Sequence, residues 1–243
     1  MPSVRKLRSF ALSTSALCLV AGMATADQVF NDDVIITFSA CKKETDLESI
    51  DLGYDYFPNA IGSFIEYEVD SIHYDIEVDT THYWLMELVA EDFFDNEGNL
   101  AMKVERYKKF TADGDYQLTD VWVQKRSSTT AERVEENVRY VRMVFPMEDG
   151  KSWDGNAYNP IDAWNYTFTN VSEPHENGAL TFSNTVRVDQ RYNVNLIDQE
   201  IAWEVYARNI GLVHKKLTDL NYQDFTVTGV DMEMWAINYG VLD

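Results

Sequence analysis

The sequence predicts an all-β domain, a strongly curved antiparallel sheet closed into a barrel or half-barrel of about ten strands in meander order. Three observations predict it. From Tyr56 onward apolar residues alternate with polar ones at a period of two, which marks strands with one dry face. Turn signals recur every dozen or so residues. No stretch shows the strand–helix–strand rhythm that a parallel sheet requires. Such a set of strands cannot stay flat, because an open sheet would leave its apolar face wet and its edges unpaired. Curling or closing it removes both problems.

The elements follow in order. Pro58 and Gly62 bracket a short turn; Ile65, Tyr67 and Val69 then point one way, and Glu66, Glu68 and Asp70 the other. The apolar phase changes at Asp70-Ser71, where Ile72, Tyr74, Ile76 and Val78 take over, so a bulge or turn is expected there. Residues 81–94 are apolar enough for a central strand. Asp95-Asn96-Glu97-Gly98-Asn99 reads as a hairpin turn, after which Leu100, Met102 and Val104 return. Ala112-Asp113-Gly114-Asp115 turns again, and 116–125 runs back.

Two patterns compete over 127–145. Thr129-Thr130-Ala131-Glu132 reads as a capping box with Val134, Val138 and Val141 at helical spacing. Against it, 139–145 is rich in β-formers and Glu135-Glu136-Asn137 can turn, which favours a hairpin ended by Pro146. Residues 147–160 are expected as a long polar loop. Trp164, Tyr166 and Phe168 then share a face, as do Leu180, Phe182, Val186, Val188 and Tyr192. Ile201, Trp203, Val205 and Ala207 oppose Glu204, Tyr206 and Arg208. Gly211 leads into 212–222, and the last strand, 225–239, carries an expected bulge at Gly229.

Ahead of the domain lies an export pattern. Arg5, Lys6 and Arg8 precede a mostly apolar stretch from Phe10 to Met23 that ends in Ala24-Thr25-Ala26, the three parts of a secretory signal over 1–26. A second reading places the signal over 1–40. Val34-Ile35-Ile36-Thr37-Phe38-Ser39-Ala40-Cys41 resembles a bacterial lipobox, with Phe38 where Leu is usual and Asp32 and Asp33 interrupting the apolar run. The two cysteines bear on this. Cys18 leaves with either leader, and Cys41 would be a lone thiol in an oxidising compartment unless acylated to a thioether. Cys41 is therefore the candidate lipidation site, residues 41–55 a flexible tether, and 56–243 a single domain. The expected location is the bacterial cell envelope, as an outer-membrane lipoprotein facing the periplasm or the exterior.

Composition narrows the function. The net charge of the 243 residues is −21, and removal of the three leader bases leaves 17 bases against 41 acids, or −24. Such a surface repels nucleic acid, and none is expected as a partner.

The opening Tyr56-Phe57-Pro58…Gly62…Phe64…Tyr67 resembles the Y-x-P-x-x-x-G start, followed by an aromatic and a Tyr, of uncharacterised secreted bacterial lipoproteins. Val144-Phe145-Pro146…Trp153-Asp154-Gly155-Asn156 and Tyr206-Ala207…Gly211-Leu212-Val213 resemble two later landmarks of that group. The resemblance implies location and fold, and no reaction. At the level of fold class alone the chain is also similar to the half-barrel LolA/LolB-type lipoprotein carriers, a likeness that licenses no function.

The chemistry-bearing residues are few. His73, His82, His175 and His214 form no metal-ligand spacing, although His73 and His82 could sit on neighbouring strands. No nucleophile elbow, Walker glycines or dinucleotide fingerprint occurs. Carboxylate pairs are abundant by chance alone among 41 acids. Residues 95–99 and 149–156 are oxygen-rich, but neither matches an EF-hand loop. The 6 Trp and 14 Tyr are the positive lead: Trp153, Tyr158 and Trp164 cluster around the long loop as a candidate platform for a sugar or an apolar ligand. The reading is a non-catalytic, envelope-anchored lipoprotein, tied to the membrane by its lipid, that binds an apolar or glycan ligand or a protein partner. No cofactor or metal is expected. A carboxylate-dependent, glycoside-hydrolase-like enzyme and a structural subunit of an envelope assembly are the alternatives.

Overall fold

The computed structural model describes residues 51–223 and 225–242; the leader and Cys41 lie outside them. The described residues form one twelve-stranded sheet and a single 3-10 turn, Tyr54–Tyr56. The strands are β1 Ser63–Tyr74, β2 Val78–Phe94, β3 Leu100–Lys109, β4 Gln117–Arg126, β5 Thr130–Glu135 and β6 Val138–Val144. They continue as β7 Ser152–Asp154, β8 Asn165–Glu176, β9 Thr181–Val194, β10 Asp198–Ala207, β11 Gly211–Gln223 and β12 Thr226–Val241. Every pairing is antiparallel, in the order β6-β5-β4-β3-β2-β1-β12-β11-β10-β9-β8-β7. The chain thus meanders outward from β1 to β6, crosses to β7, and meanders back until β12 pairs with β1.

The sheet is a nearly closed barrel, and a turn bridges its two edges in place of a ladder. Val141 N–H donates to Gly155 O at 2.9 Å, Trp153 Nε1 to Val141 O at 2.8 Å, and Asn159 both accepts from Arg139 N and donates to Arg139 O. These bonds satisfy edge groups that would otherwise be free to template another strand. Gly155 makes the approach feasible, since a Cβ there would fall 2.5 Å from the Tyr166 ring.

One end of the barrel is stoppered by the segment before β1. Tyr56 and Phe57 are buried in the core. Arg126 donates to Tyr54 O at 2.6 Å and Phe57 O at 2.9 Å, and Gln124 donates to Pro58 O and Asn59 Oδ1. Arg208 pairs with Asp51 and Asp55 at 2.6 and 3.0 Å. The tether expected over 41–55 therefore does not extend to residue 55: its last five residues are seated on the domain, held by Arg126 at the end of β4 and by Arg208 just after β10. By connectivity the β1–β2, β3–β4, β9–β10 and β11–β12 hairpins all turn at the opposite end. Their tips carry exposed Ile76, Phe110, Leu196 and Phe225.

Several local expectations are corrected. β1 runs through Asp70-Ser71 without a break, with Ser71 buried in phase with Val69, while Ile72 and Tyr74 lie on the other face. The bulge opposite β1 falls at Ile237, between the Glu66–Asn238 and Tyr67–Ala236 pairs. Gly229 sits in unbroken register with Tyr74 and Leu220; it is glycine because φ is +123° and a Cβ would lie 2.0 Å from Asp219 O. The 147–160 loop contains β7, three residues too polar to announce a strand. The 127–145 region is the expected hairpin, with Glu136 and Asn137 at φ 47° and 65° making its two-residue turn.

The β8–β9 hairpin folds across the outside of the sheet. Asn170 and Ser172 take positive φ, the β8–β9 register slips there, and Asn177 Nδ2 donates to Val213 O and Ala236 O. Val205, Ala207 and Val213 are buried in the same cluster as Phe182. β10 is thus covered on both faces, which is why Glu204 and Tyr206, expected on the wet side, are only 1% and 3% exposed.

Gly229→Ala should cost about 3 kcal/mol or more, because strain and backbone contact combine there. Gly98→Ala, at φ +80° with nothing within 4 Å, should cost about 1 kcal/mol. Urea midpoints at constant slope check both values.

Candidate functional site

The alternation of each strand decides which side chains enter the barrel. Tyr83, Leu85 and Glu87 of β2 pair with Val69, Tyr67 and Ile65, all on the buried face of β1. Through Glu87↔Arg106 and Leu85↔Lys108, β3 sends in two cations. β4 and β5 add Trp122, Gln124, Arg133 and Glu135; β6 adds Arg142, the extra residue of the bulge opposite Ala131/Glu132. From the other half come Glu204 and Tyr206 of β10, Leu212 and Lys215 of β11, and Met232 and Met234 of β12.

These residues form a layer of ion pairs across the lumen. Glu87 accepts from Arg106 Nε and Arg133 NH1, each at 3.0 Å, and Arg133 NH2 donates to Gln124 Oε1 at 2.9 Å. Glu204 accepts from Lys215 Nζ at 3.0 Å and Tyr206 O–H at 2.7 Å, and Arg142 NH1 lies 3.3 Å away. Arg142 NH2 pairs with Glu135 at 2.5 Å, so one guanidinium from β6 joins β5 to β10. Burial pushes the Glu204 carboxyl up, but Arg142, Lys215 and the Tyr206 hydroxyl outweigh it and hold the group at about 2. At Glu87, burial is likewise overcome by Arg133 and Arg106, and the pKa is lowered. Burial raises Tyr67 and Tyr206 well above their ordinary value.

The ion-pair layer divides the interior. Below it, toward the stopper, Phe57, Pro58, Ile65, Val104 and Leu212 leave only about 40 Å³. Above it lies a cavity of about 220 Å³, walled by Tyr83, Leu85, Trp122, Leu212, Met232 and Met234 and by the charged side chains. That volume is the share of about seven waters, smaller than a drug-sized pocket but far larger than a packing defect. Arg106 stacks on Trp122, 3.6 Å from the ring centroid, and Lys108 hangs over Tyr83 at 5.3 Å.

The aromatics expected around the long loop lie there, at the seam between β6 and β7 and away from the cavity. Trp153 and Trp164 both pack on Tyr166, with centroids 5.9 and 6.4 Å away, and Arg191 covers Trp164. Tyr158 lies under Arg139 at 4.3 Å. None of the three lines the 220 Å³ cavity. His73 and His82 sit on adjacent strands, but the register sets His73 against Asp79 and His82 against Asp70, its hydrogen-bond partner at 2.7 Å. The histidines that meet are His175 and His214, 2.9 Å apart, with His214 also 2.9 Å from Glu233. Burial lowers both pKa values. In the 95–99 turn, Asp95 caps Glu97 N and Asn99 N and pairs with Lys125. Among the described residues no cluster of His, Cys, Asp or Glu has the spacing to hold a metal ion.

Of the interior charges, the alternation sets Glu204 on the polar side of its strand and singles out none of the others. A signal was present at two of them: Glu87 is in phase with Leu85 and Val89, and Arg106 with Val104. A charge in the dry phase of a strand marks either an error of register or a buried polar site.

No protein-family model and no curated protein matches the chain. Among solved structures, one from Bacteroides fragilis, described as an exported protein with a YmcC-like fold, is 14% identical with a TM-score of 0.40. Another from Parabacteroides distasonis, described as a lipoprotein, is 12% identical with a TM-score of 0.36. Each likeness covers 76% of this chain and 98% of the other. Likenesses of this size establish neither a shared family nor a shared function.

The Glu204 carboxyl predicts an acid limb. Its folded pKa lies below the ordinary 4.5, so its contribution is complete above about pH 4.5 and is lost as the pH falls toward 2. The amount is about 3 kcal/mol. Glu204→Gln should be less stable at pH 7, because Arg142 and Lys215 lose their partner, and should show a shallower decline below pH 5. Denaturant titrations from pH 7 to pH 3 measure both effects.

Proposed function

We propose that the chain is an exported, envelope-anchored, non-catalytic protein whose barrel holds a small ligand above the ion-pair layer. The observation that carries the reading is the 220 Å³ cavity, in a fold whose remaining interior is filled by its own side chains. Its walls combine aromatic and aliphatic surface with a few fixed polar groups, the composition of ligand sites in general. It lies away from the stoppered end and toward the hairpin end, where exposed Ile76, Phe110, Leu196 and Phe225 stand among polar and acidic turn residues. The export leader and the acylation of Cys41 supply the location.

An enzymatic reading has less support. Glycoside hydrolysis needs a carboxyl that carries a proton near neutral pH. Glu87 and Glu204 are held in the opposite direction, each locked into ion pairs that a reacting group would have to break.

Native mass spectrometry of the full chain purified from its membrane fraction should show a bound small molecule. Met234→Trp, which fills the cavity, should lose that molecule while keeping the β-sheet circular dichroism spectrum. An empty wild-type protein, or equal retention by both, would count against the reading. Palmitate labelling should be abolished by Cys41→Ser; labelling that persists would remove the anchor.

A further inference from the structure

We infer that the ligand of this cavity is a compact anion, a carboxylate or a phosphate, on a short apolar stem. The inference rests on the reading of the cavity as a ligand site and adds the charge the ligand must carry. It starts from an imbalance. The domain is strongly acidic, yet the cavity wall holds five cations, Arg106, Lys108, Arg133, Arg142 and Lys215, against three carboxylates, Glu87, Glu135 and Glu204.

The carboxylates are already committed. Glu87 takes two guanidinium bonds, Glu204 takes an ammonium, a guanidinium and a hydroxyl, and Glu135 takes Arg142. A cationic ligand would have to displace one of these pairs. The cations are less fully used. Lys108 makes no ion pair among the described residues and has only the face of Tyr83 beneath it. Arg133 Nε is buried with no acceptor. Arg106 has one more carboxylate, Asp120, at 3.6 Å and outside the cavity wall.

Along β2 and β3, Tyr83 and Lys108 lie closer to the hairpin end than the paired Glu87 and Arg106, and Met232 lies beyond Met234, which stands level with Lys215 and Tyr83. An amphiphile entering head first would meet the cations with its anion and leave its stem against Tyr83, Leu85, Met232 and Met234. An uncharged ligand would leave Lys108 without a counter-charge and Arg133 Nε without an acceptor, both of which an anion can supply.

The test uses the full chain labelled with ¹³C at methionine methyl groups. Met232 and Met234 report from the cavity wall, whereas Met86 and Met147 report from outside it. Octanoate, octyl phosphate and 1-octanol share one chain length and differ in head group. Octanoate or octyl phosphate should shift Met232 and Met234 saturably and bind about tenfold more tightly than 1-octanol. The stronger of the two distinguishes carboxylate from phosphate. Lys108→Met breaks no ion pair, so it should fold normally, weaken the anions about tenfold and leave 1-octanol unchanged; Lys108→Arg should restore them. Equal binding of octanol and the anions, or no effect of Lys108→Met, would overturn the anion assignment and leave the cavity standing. Shifts confined to Met86 or Met147, or no shift with any of the three, would overturn the cavity as a site as well.

Discussion

The structure depends on charge placed inside a barrel. Glu87 and Glu204 are buried, and a buried carboxylate is tolerable only when it is paired and hydrogen-bonded. Each is surrounded by two cations drawn from different strands, so satisfying them fixes how β2, β3, β5, β6, β10 and β11 stand relative to one another. The Arg142–Glu204 contact matters most, because it joins the outgoing half of the meander to the returning half across the lumen. The barrel lacks a complete backbone ladder between β6 and β7. That side-chain link and the 155–159 turn take the place of the missing strand pair.

This arrangement explains why the interior is neither a sealed core nor an open channel. Ion pairs resist compression to the density of aliphatic packing, because their geometry is set by hydrogen bonds. The aliphatic and aromatic residues below the layer pack closely around the N-terminal stopper. Above it, Arg106 and Lys108 lie against Trp122 and Tyr83, holding their charges at the wall of a space that other side chains leave unfilled. The ligand reading follows from this division of labour: a paired floor, an apolar wall and surplus positive charge within an acidic body.

The fold was legible in the sequence because its determinants are local. Period-two alternation, the 95–99 and 112–115 turns, and the two-residue turn at Glu136-Asn137 each announce themselves within a few residues. Features that depend on distant partners were not legible. Ser71 continues the buried face of β1, but a serine in that place looks like a change of phase. Gly229 looks like a bulge and is a close backbone contact with Asp219, a residue ten positions earlier. Glu204 reads as a wet residue until the β8–β9 hairpin is seen to cover the other face of β10. The candidate site was the least legible part. Its charges come from six strands, and the only local signal is the dry phase of Glu87 and Arg106 beside Leu85, Val89 and Val104. Trp153, Tyr158 and Trp164 drew attention by density, and the structure gathers two of them around Tyr166 at the seam.

The central claim is that the interior pair between the two halves is energetically coupled. A double-mutant cycle with Arg142→Met and Glu204→Leu, read by urea unfolding at pH 7, tests it directly. Each single replacement should cost about 3–5 kcal/mol by stranding a buried charge, and the double replacement should cost at least about 2 kcal/mol less than their sum. Additive losses would mean that the two residues do not hold the halves of the barrel together, and the account of its interior would fail with them.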